Sequence, residues 1–210
     1  MPTVSASGGK DFELAEAGTY SARCIRVVDL GTHINDYDKN DIKDIRKVMI
    51  TWEISELMSD GRPFVVNQEF TASISDRSNL GKLLVSWRAR PFTDSEKEAF
   101  ELRNILDVPC LLGVTVTKNG KYNQVSGAMP LPKGMPVNDR VNQLFNFEIE
   151  EINVPEQVDN LWPFEKYFIK QSKEYIASGL DVLDKKDDKP STANEASANN
   201  VFGDDDEIPF

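Results

Sequence analysis

Eleven side chains in this 210-residue sequence could bind a phosphodiester strand. Lys39, Lys43, Arg46 and Lys47 follow Tyr37, and Arg62 sits in an Asp-Gly turn. Arg88 and Arg90 follow Trp87, while Lys118 and Lys121 bracket an Asn-Gly pair just before Tyr122. Cations neutralise phosphates and aromatic faces stack on bases, which is the chemistry needed to grip a single strand without reading its sequence. For Tyr122 the choice is between a base platform and an ordinary exposed tyrosine. For Tyr37 it is between a platform and a residue of a mobile loop. Trp52 and Trp87 share the spacing of apolar neighbours and are assigned to the core.

The residues that would support catalysis are missing. His33 is the only histidine, which removes multi-histidine metal sites, and as a lone histidine beside a glycine it reads as a surface residue. Asp36, Asp38 and Asn40 copy the first ligands of a calcium loop. However, Asp41 stands where that loop requires glycine, and Lys47 where it requires glutamate. Gly81-Lys82 lacks both the upstream glycine, replaced by Asp76, and the following hydroxyl of a phosphate-binding loop, replaced by Leu83. The expectation is a non-enzyme with no metal and no cofactor.

A formal charge of −11 argues at first sight against a polyanionic partner. The charge is unevenly placed. Residues 181–210 carry −6 and residues 1–180 only −5, while the stretch from Arg77 to Val125 is +3. The two cysteines, Cys24 and Cys110, lie among apolar residues and are expected to stay reduced in a cytoplasm. No apolar run approaches the roughly 18 residues of a membrane span.

The elements that must position these side chains are mostly strands. Thr19–Leu30 is rich in β-branched residues. In Lys47–Glu56, Val48, Ile50, Trp52 and Ile54 alternate with Met49, Thr51 and Glu53. Pro63–Ala72 follows a turn. Leu80, Leu83, Leu84 and Trp87 then change the period to that of a short helix, and Thr93 or Asp94 opens a second. Val108–Thr117 and Tyr122–Ala128 form a hairpin with a type I′ turn expected at Asn119-Gly120. An extended stretch, LFNFEIEEI, precedes a single helix over 163–177 that docks through Phe164, Tyr167, Phe168 and Ile176. Three strands, helices, then two strands is the order of a mainly β fold, an OB-type antiparallel barrel with helices between strands three and four and a C-terminal helix.

Residues 181–200 have the composition of a disordered linker. The sequence VFGDDDEIPF then ends in four acids, Asp204, Asp205, Asp206 and Glu207, followed by Ile208, Pro209 and Phe210. It resembles the acidic tip of bacterial single-stranded DNA-binding proteins. An apolar pocket on a partner would take Phe210, and basic residues would line the acids. The body carries a second resemblance, strongest in the Ser86–Thr93 run SWRARPFT and in Leu131–Gly134. Over roughly residues 12–180 it is similar to a bacteriophage single-stranded DNA-binding protein family with an OB-type barrel.

The resemblance implies a cytoplasmic protein that coats single-stranded DNA during phage replication and recombination. Residues 1–180 would form the binding domain, and 201–210 a tip that recruits replication or recombination proteins, with no membrane partner. The alternative is an interaction adaptor whose barrel binds protein instead of nucleic acid.

Overall fold

The computed structural model describes residues 13–35, 42–137 and 139–183. Tyr37, Lys39, residues 184–200 of the expected linker and the whole acidic tip lie outside them, whereas 181–183 are described and Leu183 is buried in the fold rather than part of a linker. The described chain is mainly β. Its six strands are β1 (Gly18–Asn35), β2 (Lys43–Leu57), β3 (Pro63–Thr71), β4 (Pro109–Val116), β5 (Asn123–Met129) and β6 (Phe145–Phe147). They form one sheet in the order β3-β2-β1-β4-β5, all antiparallel, with the short β6 added parallel to β1. The sheet is not closed, because no ladder joins β3 to β5 among the described residues. The two strands nevertheless touch, where Val125 N donates to Gln68 Oε1 at 3.4 Å.

The alternating residues of β2 explain the inner layer. Val48, Ile50, Trp52 and Ile54 point into one core with Cys24, Val66, Phe70, Leu112 and Ala128. Helix α1 (Asn79–Arg88) closes this core with Leu80, Leu83, Leu84 and Trp87, as their helical spacing requires. Ser78 caps the helix by accepting from Gly81 N at 3.0 Å. Trp52 and Trp87 meet at 6.0 Å between ring centroids, so both tryptophans are core residues. Removing either ring would cost about 3–5 kcal/mol. Helix α2 (Asp94–Glu98) starts at Thr93 with a full capping box to Glu96.

The other face of the sheet is also covered. Met49, on the opposite side of β2 from Trp52, is buried with Val28 and Leu30 under a second apolar layer. That layer comes from β6, a 3-10 turn at Ile149–Glu151, and helices α3 (Pro155–Asp159), α4 (Pro163–Ile169) and α5 (Lys173–Ser178). Residues 145–183 therefore form a lid on the outer face of β1 and β2. Within it Arg26 is buried against Glu165 at 2.6 Å, with its guanidinium between Phe145 (4.3 Å) and Trp162 (4.1 Å).

Four local expectations are corrected. The helix over 163–177 is two helices, because Ser172 accepts from Tyr175 N and starts α5 afresh. The break shifts the helical phase, so Ile169 and Tyr175 are buried while Tyr167 and Ile176 are exposed. Only Phe145–Phe147 of the extended stretch is a strand. The β4–β5 turn is not type I′: Gly120 alone has a positive φ (69°), and Gly120 N donates to Thr117 O at 2.8 Å. His33 is buried rather than superficial, with Nε2 3.0 Å from Leu30 O. Gly31 is required where it stands. At φ +80°, any Cβ would lie 2.6 Å from that of Ser172, so this glycine lets α5 sit against β1.

Candidate nucleic-acid interface

The hairpin between β4 and β5 is built to hold its lysines outward. Thr117 N donates to Tyr122 O at 2.9 Å and closes the loop. Inside it, Asn119 Oδ1 accepts from the Thr117 hydroxyl (2.7 Å) and from Lys121 N (3.1 Å). Asn123, at the base, is bonded both ways to the backbone of Ala15 at 3.0 and 2.8 Å. Lys118 and Lys121 are exposed and, among the described residues, neither makes an ion pair. Tyr122 is half-buried, and its N–H donates to the Thr117 hydroxyl at 3.1 Å.

Arg46, Lys47, Arg62, Arg88 and Arg90 each face a carboxylate. Arg46 grips Asp29 through Nε and Nη2 and reaches Glu150 at 3.2 Å. Those hydrogen bonds to Asp29 push its guanidinium pKa further up, so it stays charged. Lys47 pairs with Glu69 across β2 and β3 at 2.7 Å, and Arg62 with Asp60 at 2.5 Å in its own turn. Arg88 and Arg90 converge on Glu96, Arg90 at 2.8 Å. Arg90, then the Thr93 amide, pull the Glu96 carboxyl down to about 2. Arg88 also lies over Phe92 at 4.2 Å, which makes it a packing residue as much as a charge. Lys43 opens β2 at an exposed position opposite Asn35.

The sequence reading overlooked three cations with the properties of Lys118 and Lys121. Arg77, Lys82 and Lys133 are exposed and make no ion pair among the described residues. Arg77 precedes α1 and Lys82 lies on it, and α1 packs against β5. Lys133 follows β5 closely in sequence. The available signal was helical phase: Lys82 falls on the face of α1 opposite Leu80 and Leu84. Lys118 and Lys121 thus lie in the β4–β5 hairpin, Arg77 and Lys82 before and on a helix that packs on β5, and Lys133 beyond the end of that strand.

The outer faces of β1 and β2 offer little to a polyanion. At the Arg23 end of this face, Glu53 accepts from Val141 N (2.9 Å) and Asn142 N (2.8 Å), which ties residues 139–144 across it. Arg23 is paired with Asp107 at 2.9 Å. A cavity of about 470 Å³ opens at the margin of the inner core, where β1, β2, the end of β3, the 3-10 turn at Leu102–Ile105 and β6 meet. Its apolar lining is Val27, Val48, Phe100, Leu102 and Phe147, and Arg46, Arg103 and Asn146 also line it. Among the described residues no group of three His, Cys, Asp or Glu side chains is placed to hold a metal ion, and no helix is long and apolar enough to cross a membrane.

Compared with protein families, with curated proteins and with solved structures, the chain matches none.

Proposed function

We propose that this chain binds single-stranded DNA without strong sequence preference and coats it during phage DNA replication and recombination in the host cytoplasm. In this reading it is not an enzyme. The observation that carries the proposal is the set of exposed cations that make no ion pair among the described residues, Lys118 and Lys121 in the β4–β5 hairpin, Arg77 and Lys82 at and on the helix packed against β5, and Lys133 after β5 in sequence. An unpaired exposed lysine keeps its charge for a phosphate, whereas an ion-paired one must first break a bond.

The strand order supports an OB-type reading. β3-β2-β1-β4-β5 with α1 between β3 and β4 is the strand order such a barrel would have if it were opened between β3 and β5, the pair that Gln68 and Val125 bring together. Closure would need only a short ladder there. The acidic tip, Asp204 to Phe210, recruits replication or recombination proteins, and its charge accounts for much of the net −11.

A mobility-shift series with single- and double-stranded oligonucleotides tests the reading. The expected result is salt-sensitive binding of the single strand alone. Equal binding of both forms, or of neither, overturns it, and absence of binding would favour the adaptor reading. Intrinsic tryptophan quenching is a poor probe, because Trp52 and Trp87 are in the inner core and Trp162 packs in the second layer under Arg26. Anisotropy of a labelled oligonucleotide is the better one.

A further inference from the structure

We propose that the cavity beside Arg46 takes up one unstacked base of the bound strand; this rests on the single-strand reading above and extends it to a specific pocket. Its volume of about 470 Å³ lies in the lower part of the range of small-molecule sites, about 300–1,000 Å³. Its charge excludes phosphate as the occupant. Asp29, Glu101 and Glu148 line it against only two guanidiniums, Arg46 and Arg103. Both arginines are already engaged, Arg46 by Asp29 and Arg103 by Glu101 at 2.8 Å.

What remains is suited to a neutral, flat ligand with N–H donors. A guanidinium held edge-on by a carboxylate keeps its face free, and such a face stacks well on a nucleobase. Of the apolar lining, the half-buried Phe100 and Leu102 would meet the ring, with the buried Val27, Val48 and Phe147 behind them. The carboxylates accept from an exocyclic amine, and the Asn146 amide both donates and accepts at a base edge. Cytosine and adenine carry that amine and thymine does not, so the pocket favours oligo-dC over oligo-dT by a few-fold. Reach is not an obstacle. Gly18, opposite Val114 near the lysine hairpin, is eleven residues along β1 from Asp29, at most about 36 Å at the rise of an extended strand.

Ala72 is exposed at the cavity, and its backbone N–H donates to Arg46 O at 2.8 Å, a bond that a larger side chain leaves intact. Ala72→Phe would fill the cavity without removing any charge, and Arg103→Ala would remove one stacking face from an exposed position. Both full-length variants are titrated with labelled oligo-dC over a salt series, with thermal melts to confirm folding. The expected result is about ten-fold weaker binding by Ala72→Phe and a few-fold loss by Arg103→Ala, with the wild-type salt slope kept in both, since no phosphate contact is lost. A 2-aminopurine placed in the oligomer should change fluorescence on binding wild type and not on binding Ala72→Phe. If wild type binds and both variants bind equally well, the base pocket is overturned and the single-strand reading stands. If wild type does not bind, both fall.

Discussion

The cations beside β5 and those on the β1–β2 side of the sheet are chemically alike and structurally opposite. On the β5 side, Lys118, Lys121, Arg77, Lys82 and Lys133 are exposed and make no ion pair among the described residues. On the other side Arg23, Arg26, Arg46 and Lys47 meet Asp107, Glu165, Asp29 and Glu69 at contacts no longer than 2.9 Å. A paired guanidinium fastens the molecule together, while an unpaired ammonium has its charge available for a ligand. Counting basic residues cannot separate the two roles. Only the position of the carboxylates can.

The sharpest way to break this contrast is at its two extremes. Glu165→Ala leaves Arg26 buried without its partner and should destabilise the fold by about 3–5 kcal/mol, read as a lowered denaturation midpoint with an unchanged m-value. A loss below about 1 kcal/mol would place the Arg26 pair among ordinary surface contacts. At the other extreme, the double change Lys118→Ala and Lys121→Ala should weaken oligonucleotide binding about ten-fold at low salt. It should reduce the salt slope by about 0.7 for each lysine and leave stability within about 0.5 kcal/mol. A large loss of stability with no change in salt slope would reverse the roles assigned to the two sides.

Smaller effects sharpen the same division. Glu96, held by Arg90 and the Thr93 amide, has its pKa lowered from 4.5 to about 2. Its contribution to stability is thus present above pH 4.5 and lost as the pH falls through about 2. Glu96→Gln should therefore differ most from wild type in melting temperature near neutral pH, and the difference should shrink below pH 3. A gap that persists undiminished at pH 2 would mean the ion pairs contribute nothing through charge. Smallest of all should be the reactivity of the thiols. Burial pushes the Cys24 pKa well up and that of Cys110 up to about 12. A thiol reagent at pH 8 should label neither in the native protein and both after unfolding. Rapid native labelling would mean that the inner core opens readily.

How much of this was legible in advance depends on how local the cause is. The β2 alternation, the Leu80–Trp87 stripe and the helix start at Thr93 or Asp94 are set by residues within a few positions of each other, and each appears where its spacing puts it. The helix over 163–177 was misread because its apolar residues continue through Ser172, while a serine hydroxyl capping the next turn outweighs that continuity. In the hairpin, Asn-Gly signalled a turn but not its type, since Asn119 uses its side chain to brace the loop instead of adopting a positive φ. His33 reads as a surface residue but is buried by the fold, and Glu53 is bound by Val141 and Asn142, 88 and 89 positions away, a contact no local pattern reports.

Taken alone, the sequence determined the elements and the identity of the chemically capable residues, because strand alternation, helical phase and caps act over one or two turns of chain. It also located the charge, most of it in the last thirty residues. Tertiary structure decided which cations remain available, by bringing Asp29 to Arg46 and Glu165 to Arg26, the latter from 139 residues away. It also decided that both faces of β2 are covered and that a cavity forms where two apolar layers meet. Coulomb and packing energies depend on distance in space, and separation along the chain does not report that distance.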